Sequence, residues 1–158
     1  MGVEIERKFL VRDPSVLTGS SGMRYAQGYL STDPDRTVRV RRAGDRAFVT
    51  IKGRNEGASR PEFEYEIPFI DVGPLLALCD GPIVEKTRHR IQHAGLTWEV
   101  DVFEGANLGL IVAEVELPAT DTVVQLPAWV GAEVTADSRY VNANLVAHPF
   151  STWVDRPG

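Results

Sequence analysis

The chain has 158 residues, enough for one compact domain with a real core and too few for two ordinary domains. With 43% hydrophobic and 25% charged residues, its composition excludes a largely disordered chain, and no apolar run is long enough to span a bilayer. The formal net charge of −5 argues against a protein that binds the phosphate backbone of nucleic acids.

The first predicted element is a strand in which charged and apolar residues alternate. Glu4, Glu6 and Lys8 share one face, whereas Ile5 and Phe9 share the other. The charged face carries groups that suit a metal ion and an anion. The apolar face suits burial against a core.

The same period of two recurs along the rest of the chain. It predicts strands over residues 25–30, 37–41, 47–52, 61–67, from 83 onward, 97–103 and 110–117. Short helices are expected after Asp13, over residues 72–79, and after the capping sequence at 135–138. We expect residues 53–59 to be mobile and those after about 149 to form a frayed tail. The elements indicate one α+β domain, residues 1–158, on a mainly antiparallel sheet that is closed or nearly so.

The charged strand faces sort by sign, which is unusual for faces that look at water. Like charges two residues apart on a strand repel, and the repulsion grows where water is excluded. A barrel that sets acidic and basic strands across a lumen, together with a bound polyanion and divalent cations, would compensate both sets. The pairs of like charge are Arg39 with Arg41, Lys86 with Arg88, Glu62 with Glu64, and Glu114 with Glu116.

These motifs resemble those of the CYTH superfamily, the triphosphate tunnel metalloenzymes. The segment Glu4-Ile5-Glu6-Arg7-Lys8 resembles the ExExK signature of that family. The resemblance covers nearly the whole chain in the family's order. It continues through Gln27-Gly28-Tyr29-Leu30, Arg39-Val40-Arg41, Thr50-Ile51-Lys52, Arg60 to Glu66, Glu85-Lys86-Thr87-Arg88, Glu99-Val100-Asp101, Glu114-Val115-Glu116 and Thr135 to Tyr140.

The resemblance implies an eight-stranded antiparallel tunnel, a closed β-barrel with a few short flanking helices, that binds a triphosphate with Mg²⁺ or Mn²⁺. The implied triphosphate-binding residues are Lys8, Arg39, Arg41, Lys52, Lys86 and Arg88. The implied metal ligands are Glu4, Glu6, Glu114 and Glu116, supported by Glu62, Glu64 and Asp101. Lys52, helped by Tyr29, would neutralise charge on the leaving phosphate or take part in proton transfer.

The preferred hypothesis is a metal-dependent triphosphatase, a hydrolase that acts on inorganic triphosphate. Thiamine triphosphatase, nucleoside triphosphatase and class IV adenylyl cyclase are alternatives on the same fold, although no motif for an adenine pocket or for activating a ribose hydroxyl is present. A non-catalytic module that binds polyphosphate is the alternative of another class. Four carboxylates argue against that module, because an anion binder gains little from them unless metals are recruited.

Compartment and partners follow from simpler observations. Cys79 is the only cysteine, and no secretory signal is apparent, so we expect a cytoplasmic protein. The expected partner is a small-molecule triphosphate, with no nucleic acid and no membrane. A homodimer is compatible with the apolar outer faces of the strands.

Overall fold

Nine antiparallel strands form one sheet that closes on itself. The computed structural model describes residues 2–157. The strands are Val3–Val11 (β1), Met23–Ser31 (β2), Thr37–Ala43 (β3), Arg46–Lys52 (β4), Ser59–Ile67 (β5), Asp80–His93 (β6), Leu96–Phe103 (β7), Ile111–Glu116 (β8) and Val130–Glu133 (β9). The α-helices are Val72–Ala77 (α1) and Asn144–Ala147 (α2), and single 3-10 turns cover Pro14–Leu17, Phe69–Asp71, Gly105–Asn107, Ser138–Tyr140 and Phe150–Thr152. Within the described residues, no helix is both long and apolar enough to cross a membrane.

Pairing between the first and fifth strands closes the barrel. Neighbours follow the order β5-β4-β3-β2-β6-β7-β8-β1, and β1 returns to β5 through Val3 opposite Pro61 and Glu4 opposite Arg60. The predicted closed barrel of eight antiparallel strands with short helices is therefore confirmed. A ninth strand, β9, pairs with the far end of β1 at Phe9 and Val11. The sequence did not predict β9, because its four residues are too few for an alternating pattern.

One apolar core lies outside the barrel wall. Phe9, Trp98 and Val100 are at most 1% exposed and pack beneath Trp129 and Val130. Because side chains alternate along a strand, burying this outer face directs the intervening charged side chains into the lumen. The arrangement is the reverse of an ordinary sheet, in which the charged face looks at bulk water.

The carboxyl-terminal segment packs over one end of the barrel instead of forming the single helix that was expected. A one-turn helix begins after Asp137, whose side chain accepts from the Arg139 backbone N–H. Phe150 is only 6% exposed, and Trp153 packs edge-on against both Phe150 and Tyr140 at 5.1 Å between ring centroids. These three rings bury one another, so the structure packs the segment against the barrel end as far as Trp153; fraying after about residue 149 in solution stays a prediction.

Candidate active site

A cavity of about 290 Å³ lies inside the barrel, and its walls are almost entirely charged or polar. The structure brings every site residue predicted from the sequence to this cavity except Asp101, which is buried behind it. The predicted residues that line it are Glu4, Glu6, Lys8, Tyr29, Arg39, Arg41, Lys52, Glu62, Glu64, Lys86, Arg88, Glu114 and Glu116. Arg90 also lines the cavity, although its side chain is 66% exposed.

Strand register explains how residues far apart in sequence meet here. Glu6 pairs with Glu116, and Lys8 pairs with Glu114, across β1 and β8. On the other side of β1, where β5 is its neighbour, Lys52 pairs with Glu62 across β4 and β5. Directly paired residues on one sheet face have side chains within contact distance, so the register concentrates carboxylates along β1, β5 and β8.

Arg39 is held in place by β4 and β5 while one donor stays unpaired. Its Nη2 donates to Thr50 Oγ1 at 3.0 Å and to Glu64 Oε2 at 3.3 Å. Its Nε is buried and has no hydrogen-bond partner among residues 2–157. A buried guanidinium donor without an acceptor is costly, and an anion in the cavity would satisfy it.

A tyrosine ring separates two further guanidinium groups. The Arg41 and Arg88 guanidinium carbons lie 4.9 Å and 5.0 Å from the centroid of Tyr25. Burial, together with the charges of Arg39 and Arg88, lowers the pKa of Arg41 to about 10. The basic wall therefore carries more positive charge than its own carboxylates neutralise, which is the electrostatic condition for an anion site.

Lys86, Arg88 and Asp101 form a buried ion cluster behind that wall. Asp101 Oδ2 lies 2.7 Å from Lys86 Nζ, and Asp101 accepts two bonds from Arg88 at 2.7 Å and 2.9 Å. Burial lowers the pKa of Lys86 to about 7, since Arg88 and Arg41 offset the help from Asp101. For Asp101, burial alone would raise the pKa, but Arg88 and Lys86 hold it below its ordinary value. At 0% exposure, Asp101 is placed to fix these two cations.

The carboxylates of β1 and β8 respond in opposite ways to their surroundings. Burial and then Glu114 raise the pKa of Glu6 well above its ordinary value. Burial raises the pKa of Glu4 and of Glu116 as well, with nearby carboxylates adding to the effect. Burial alone would also raise the pKa of Glu114, but Lys8, Arg88 and Lys86 hold it below the ordinary value.

Lys52 occupies the acidic part of the cavity. Its Nζ donates to both carboxylate oxygens of Glu4 at 3.0 Å and 3.2 Å and lies 3.4 Å from Glu62. The Tyr29 hydroxyl instead accepts from Gln27 Nε2 at 2.9 Å, and the ring belongs to a buried apolar cluster. Over residues 2–157, Lys52 and Tyr29 form no hydrogen bond with each other. The predicted help of Tyr29 in the chemistry of Lys52 is therefore not supported by a direct contact.

The acidic residues fit a hard divalent cation by their chemistry. They offer only carboxylate oxygens, the donors that Mg²⁺ and Mn²⁺ prefer. Burial and neighbouring carboxylates raise the pKa values of Glu4, Glu6 and Glu116, and a cation among these three would offset the cost of keeping them charged. Among the described residues no three carboxylate, imidazole or thiol groups are already gathered as a ready metal site. Lys52 stands in part of that space, bonded to Glu4 and Glu62.

Sequence reasoning missed several cavity residues. Glu99 lies in a predicted strand and Arg60 directly precedes one, so strand parity with Asp101 and Glu62 is a signal that could have found them. Gln27 lies between Tyr25 and Tyr29 on the same face of β2 and could have been found in the same way. Asn142, which also lines the cavity, belongs to no strand, and alternation gives no signal for it.

Comparison with known proteins gives one consistent picture. The profile of the CYTH domain matches residues 2–148. An inorganic triphosphatase of Acetivibrio thermocellus is 46% identical over 154 residues, covering 97% of this chain and 99% of the relative. An inorganic triphosphatase of Nitrosomonas europaea is 39% identical over 150 residues, covering 90% of this chain and 95% of the relative. A crystal structure of an inorganic triphosphatase superposes with a TM-score of 0.65 at 34% identity, covering 100% of this chain and 99% of that one.

Proposed function

The chain belongs to the CYTH domain family, and we propose that it is a metal-dependent triphosphatase that hydrolyses inorganic triphosphate to diphosphate and phosphate. The observation that carries the proposal is the sorting of charge inside the cavity of the closed barrel, with a basic wall on β3 and β6 and carboxylates on β1, β5 and β8. The names of the bacterial relatives support the same substrate.

The basic wall binds the phosphate chain. Arg39 and Arg41 present forked donors that match pairs of phosphate oxygens, and the unpaired Arg39 Nε is available for one of them. Lys8, Lys86 and Arg88 complete the wall, and Lys52 meets the chain from the acidic side. Because phosphoryl transfer needs little covalent chemistry from the protein, fixed cations around the equatorial oxygens account for most of the residues' contribution.

The carboxylates hold the metal. Triphosphatases of this family are metal-dependent, and we assign the ligands to Glu4, Glu6, Glu114 and Glu116, with Glu62 and Glu64 in support. We propose Mg²⁺ or Mn²⁺, since the donors are all carboxylate oxygens. When bound, such an ion supplies Lewis-acid chemistry: it lowers the pKa of water and neutralises charge on phosphate oxygens.

Two residues have more specific parts. Lys52 is placed beside Glu4 and Glu62 so that its ammonium group can neutralise the charge that develops on the departing phosphate or return a proton to it. Asp101 was predicted to support the metal. Its contacts with Lys86 and Arg88 favour a different part, which is to hold those two side chains in the orientation that meets the substrate.

The decisive experiment measures phosphate release from inorganic triphosphate, ATP and thiamine triphosphate, each with Mg²⁺ or Mn²⁺. We expect inorganic triphosphate to be hydrolysed with the highest kcat/KM. If ATP yields cyclic AMP while inorganic triphosphate yields no phosphate, the protein is a cyclase and the proposal is wrong. Tight triphosphate binding without turnover under either metal would identify a non-catalytic module.

We also propose that the enzyme works in the cytoplasm as a homodimer. The outer face of β4 and β5 exposes Ile51, Phe63 and Tyr65 by 40%, 48% and 58%, and a second copy would cover them. Light scattering coupled to size-exclusion chromatography measures the mass in solution, and a single-copy mass at high protein concentration would exclude the dimer.

A further inference from the structure

A neutral side chain from the carboxyl-terminal segment reaches the charged cavity. Asn142 follows the one-turn helix Ser138–Tyr140 and lines the cavity together with Val141 and Ala143. Its Oδ1 accepts from Lys86 Nζ at 2.8 Å and from Gln27 Nε2 at 3.2 Å. Asn142 is therefore in direct contact with a lysine of the phosphate-binding wall, although it belongs to none of the barrel strands.

The segment that carries Asn142 is firmly docked. Tyr140 and Leu145, on either side of it, are 2% and 1% exposed and pack with Val84 and Phe103 of the barrel. The carbonyl of Tyr140 also accepts from Lys8 Nζ at 3.4 Å. Packing of this kind holds the Asn142 backbone in one place, so the orientation of its amide is set by hydrogen bonds alone.

A chain of hydrogen bonds determines which way that amide faces. A guanidinium group can only donate, so the 3.1 Å contact from Arg41 Nε fixes the neighbouring Gln27 atom as the carbonyl oxygen Oε1. The other end of the Gln27 amide must then be Nε2, which can only donate. The Asn142 atom that it meets must be the acceptor Oδ1. This assignment does not depend on the protonation of Lys86.

The consequence concerns the other end of the Asn142 amide. Its Nδ2 carries two N–H donors and gives neither to any acceptor among residues 2–157, while the side chain lines the cavity. Both donors are therefore available to an acceptor that a ligand brings into the cavity. The nearest acceptors that a ligand could bring are the oxygens of the phosphate chain bound by Lys86 and Arg41.

We propose that Asn142 is a substrate-contacting residue, whose Nδ2 donates to a phosphate oxygen of the bound triphosphate. The inference rests on the proposed function for the identity of the ligand. It assigns the carboxyl-terminal segment a direct part in binding: the segment adds an uncharged, fixed donor beside the lysine and arginine side chains. A hydrogen bond to a charged group strengthens binding by about ten- to a hundredfold.

Binding of inorganic triphosphate, measured by calorimetry with a chelator present, tests the contact without requiring turnover. We expect Asn142→Ala to weaken binding by about tenfold or more. Asn144→Ala is the matched control, because Asn144 lies in the same segment and, within residues 2–157, its side chain donates to Ser138 O at 2.8 Å and to no cavity residue. The control should bind like the parent protein. Equal affinity for the Asn142→Ala and Asn144→Ala proteins would overturn the proposal.

A double-mutant cycle separates direct contact from an effect through Lys86. If Asn142 merely positions Lys86, then Asn142→Ala costs nothing once Lys86→Met is in place, and the proposal is wrong. If Nδ2 meets the substrate, the second substitution still weakens binding in the Lys86→Met background.

Nuclear magnetic resonance detects the Asn142 contact in the parent protein, which matters if the Asn142→Ala protein does not fold. The side-chain amide signals of Asn142 are identified by their loss in the nearly isosteric Asn142→Asp. We expect them to shift when inorganic triphosphate is added, whereas signals that stay in place would refute the contact. Phosphate release by the parent protein is measured in parallel, so failure of the proposed activity is distinguished from failure of the Asn142 assignment.

Discussion

At the scale of single residues, the lowered pKa of Lys86 predicts a proton exchange on binding. Lys86 and Arg88 share the buried Asp101 carboxylate there, and the pKa of Lys86 is about 7. A bound polyanion favours the charged lysine, so the pKa rises and Lys86 takes up a proton. At about pH 8 the uptake approaches one proton per site, and it fades at about pH 6, where Lys86 is already charged.

Calorimetry in two buffers of different ionisation enthalpy measures this uptake. The Lys86→Met protein is the control, because its comparison with the parent subtracts the protons that triphosphate itself gains or loses. Equal proton uptake in the two proteins at about pH 8 would contradict a low pKa for Lys86.

Two neighbouring glutamates should affect stability in opposite directions. The folded pKa of Glu6 lies above its unfolded value, so stability falls as the pH rises through that window and the cost is complete above it. The folded pKa of Glu114 lies below its unfolded value, so its contribution is present at neutral pH and is lost as the pH falls. With a chelator at neutral pH, we expect Glu6→Gln to raise Tm by about 2–4 °C, as removal of about 1 kcal/mol of strain would.

Glu114→Gln serves as the matched comparison and should lower Tm, since it leaves Lys8 and Arg88 with one partner fewer. Both variants should lose triphosphatase activity, because each removes a proposed metal ligand. Thermal unfolding followed by circular dichroism checks the signs. A lowered Tm for Glu6→Gln would mean that this carboxylate is not under strain in the folded protein.

At the scale of elements, the carboxyl-terminal segment should contribute substantially to folding. The Phe150 side chain is buried among Leu110, Tyr140 and Trp153, so Phe150→Ala should cost about 3–5 kcal/mol of unfolding free energy. Val154, which is fully exposed, is the control, and Val154→Ala should change stability by less than about 0.5 kcal/mol. Urea titration measures both, and equal effects would show that the tail after residue 149 frays in solution.

The sequence predicted the barrel strands better than it predicted the carboxyl-terminal segment. Most barrel strands carry charged residues at alternate positions, so parity places residues such as Glu6 and Glu114 on the charged face of their strands. The short strand β9 and the turn around Asn142 have no period, because their places are fixed by packing on β1 and on the barrel end. Gly81 illustrates such packing: its φ is +69°, and a Cβ there would meet Val146 of α2 at 2.5 Å. No pattern within the segment itself reveals a contact of this kind.

At the scale of the whole molecule, closure of the barrel was predictable. Strand faces that carry charges of one sign are compensated when strands of the opposite sign lie across a lumen. The chemistry of each wall could be inferred, but the pairing of particular groups could not. The Lys86–Asp101 contact and the Lys52–Glu4 contact both join oppositely charged groups that the sequence had assigned separately to phosphate and to metal. Such pairs depend on register and shear, which fix the distances across the ring.

The contacts of Lys52 with Glu4 and Glu62 imply that metal and triphosphate bind cooperatively. Without ligands, Lys52 neutralises Glu4 and Glu62, so a cation that binds these carboxylates displaces Lys52 and frees its charge for phosphate. Each ligand should therefore tighten the other by the same factor, as linkage requires. Each ligand alone, at about 100 times its Kd, adds about 2.7 kcal/mol of stability, or roughly 5–10 °C in Tm.

With both ligands present, the rise in Tm should exceed the sum of the separate rises. Calcium in place of the activating metal keeps turnover slow enough to measure this, provided that phosphate release is shown to be negligible. The Lys52→Met protein is the matched comparison, since it cannot transfer charge from the carboxylates to the phosphate chain, and its two shifts should come closer to simple addition. Additive shifts in the parent protein would mean that the acidic and basic walls bind their ligands independently, and the exchange of partners by Lys52 would then have no role in assembling the complex.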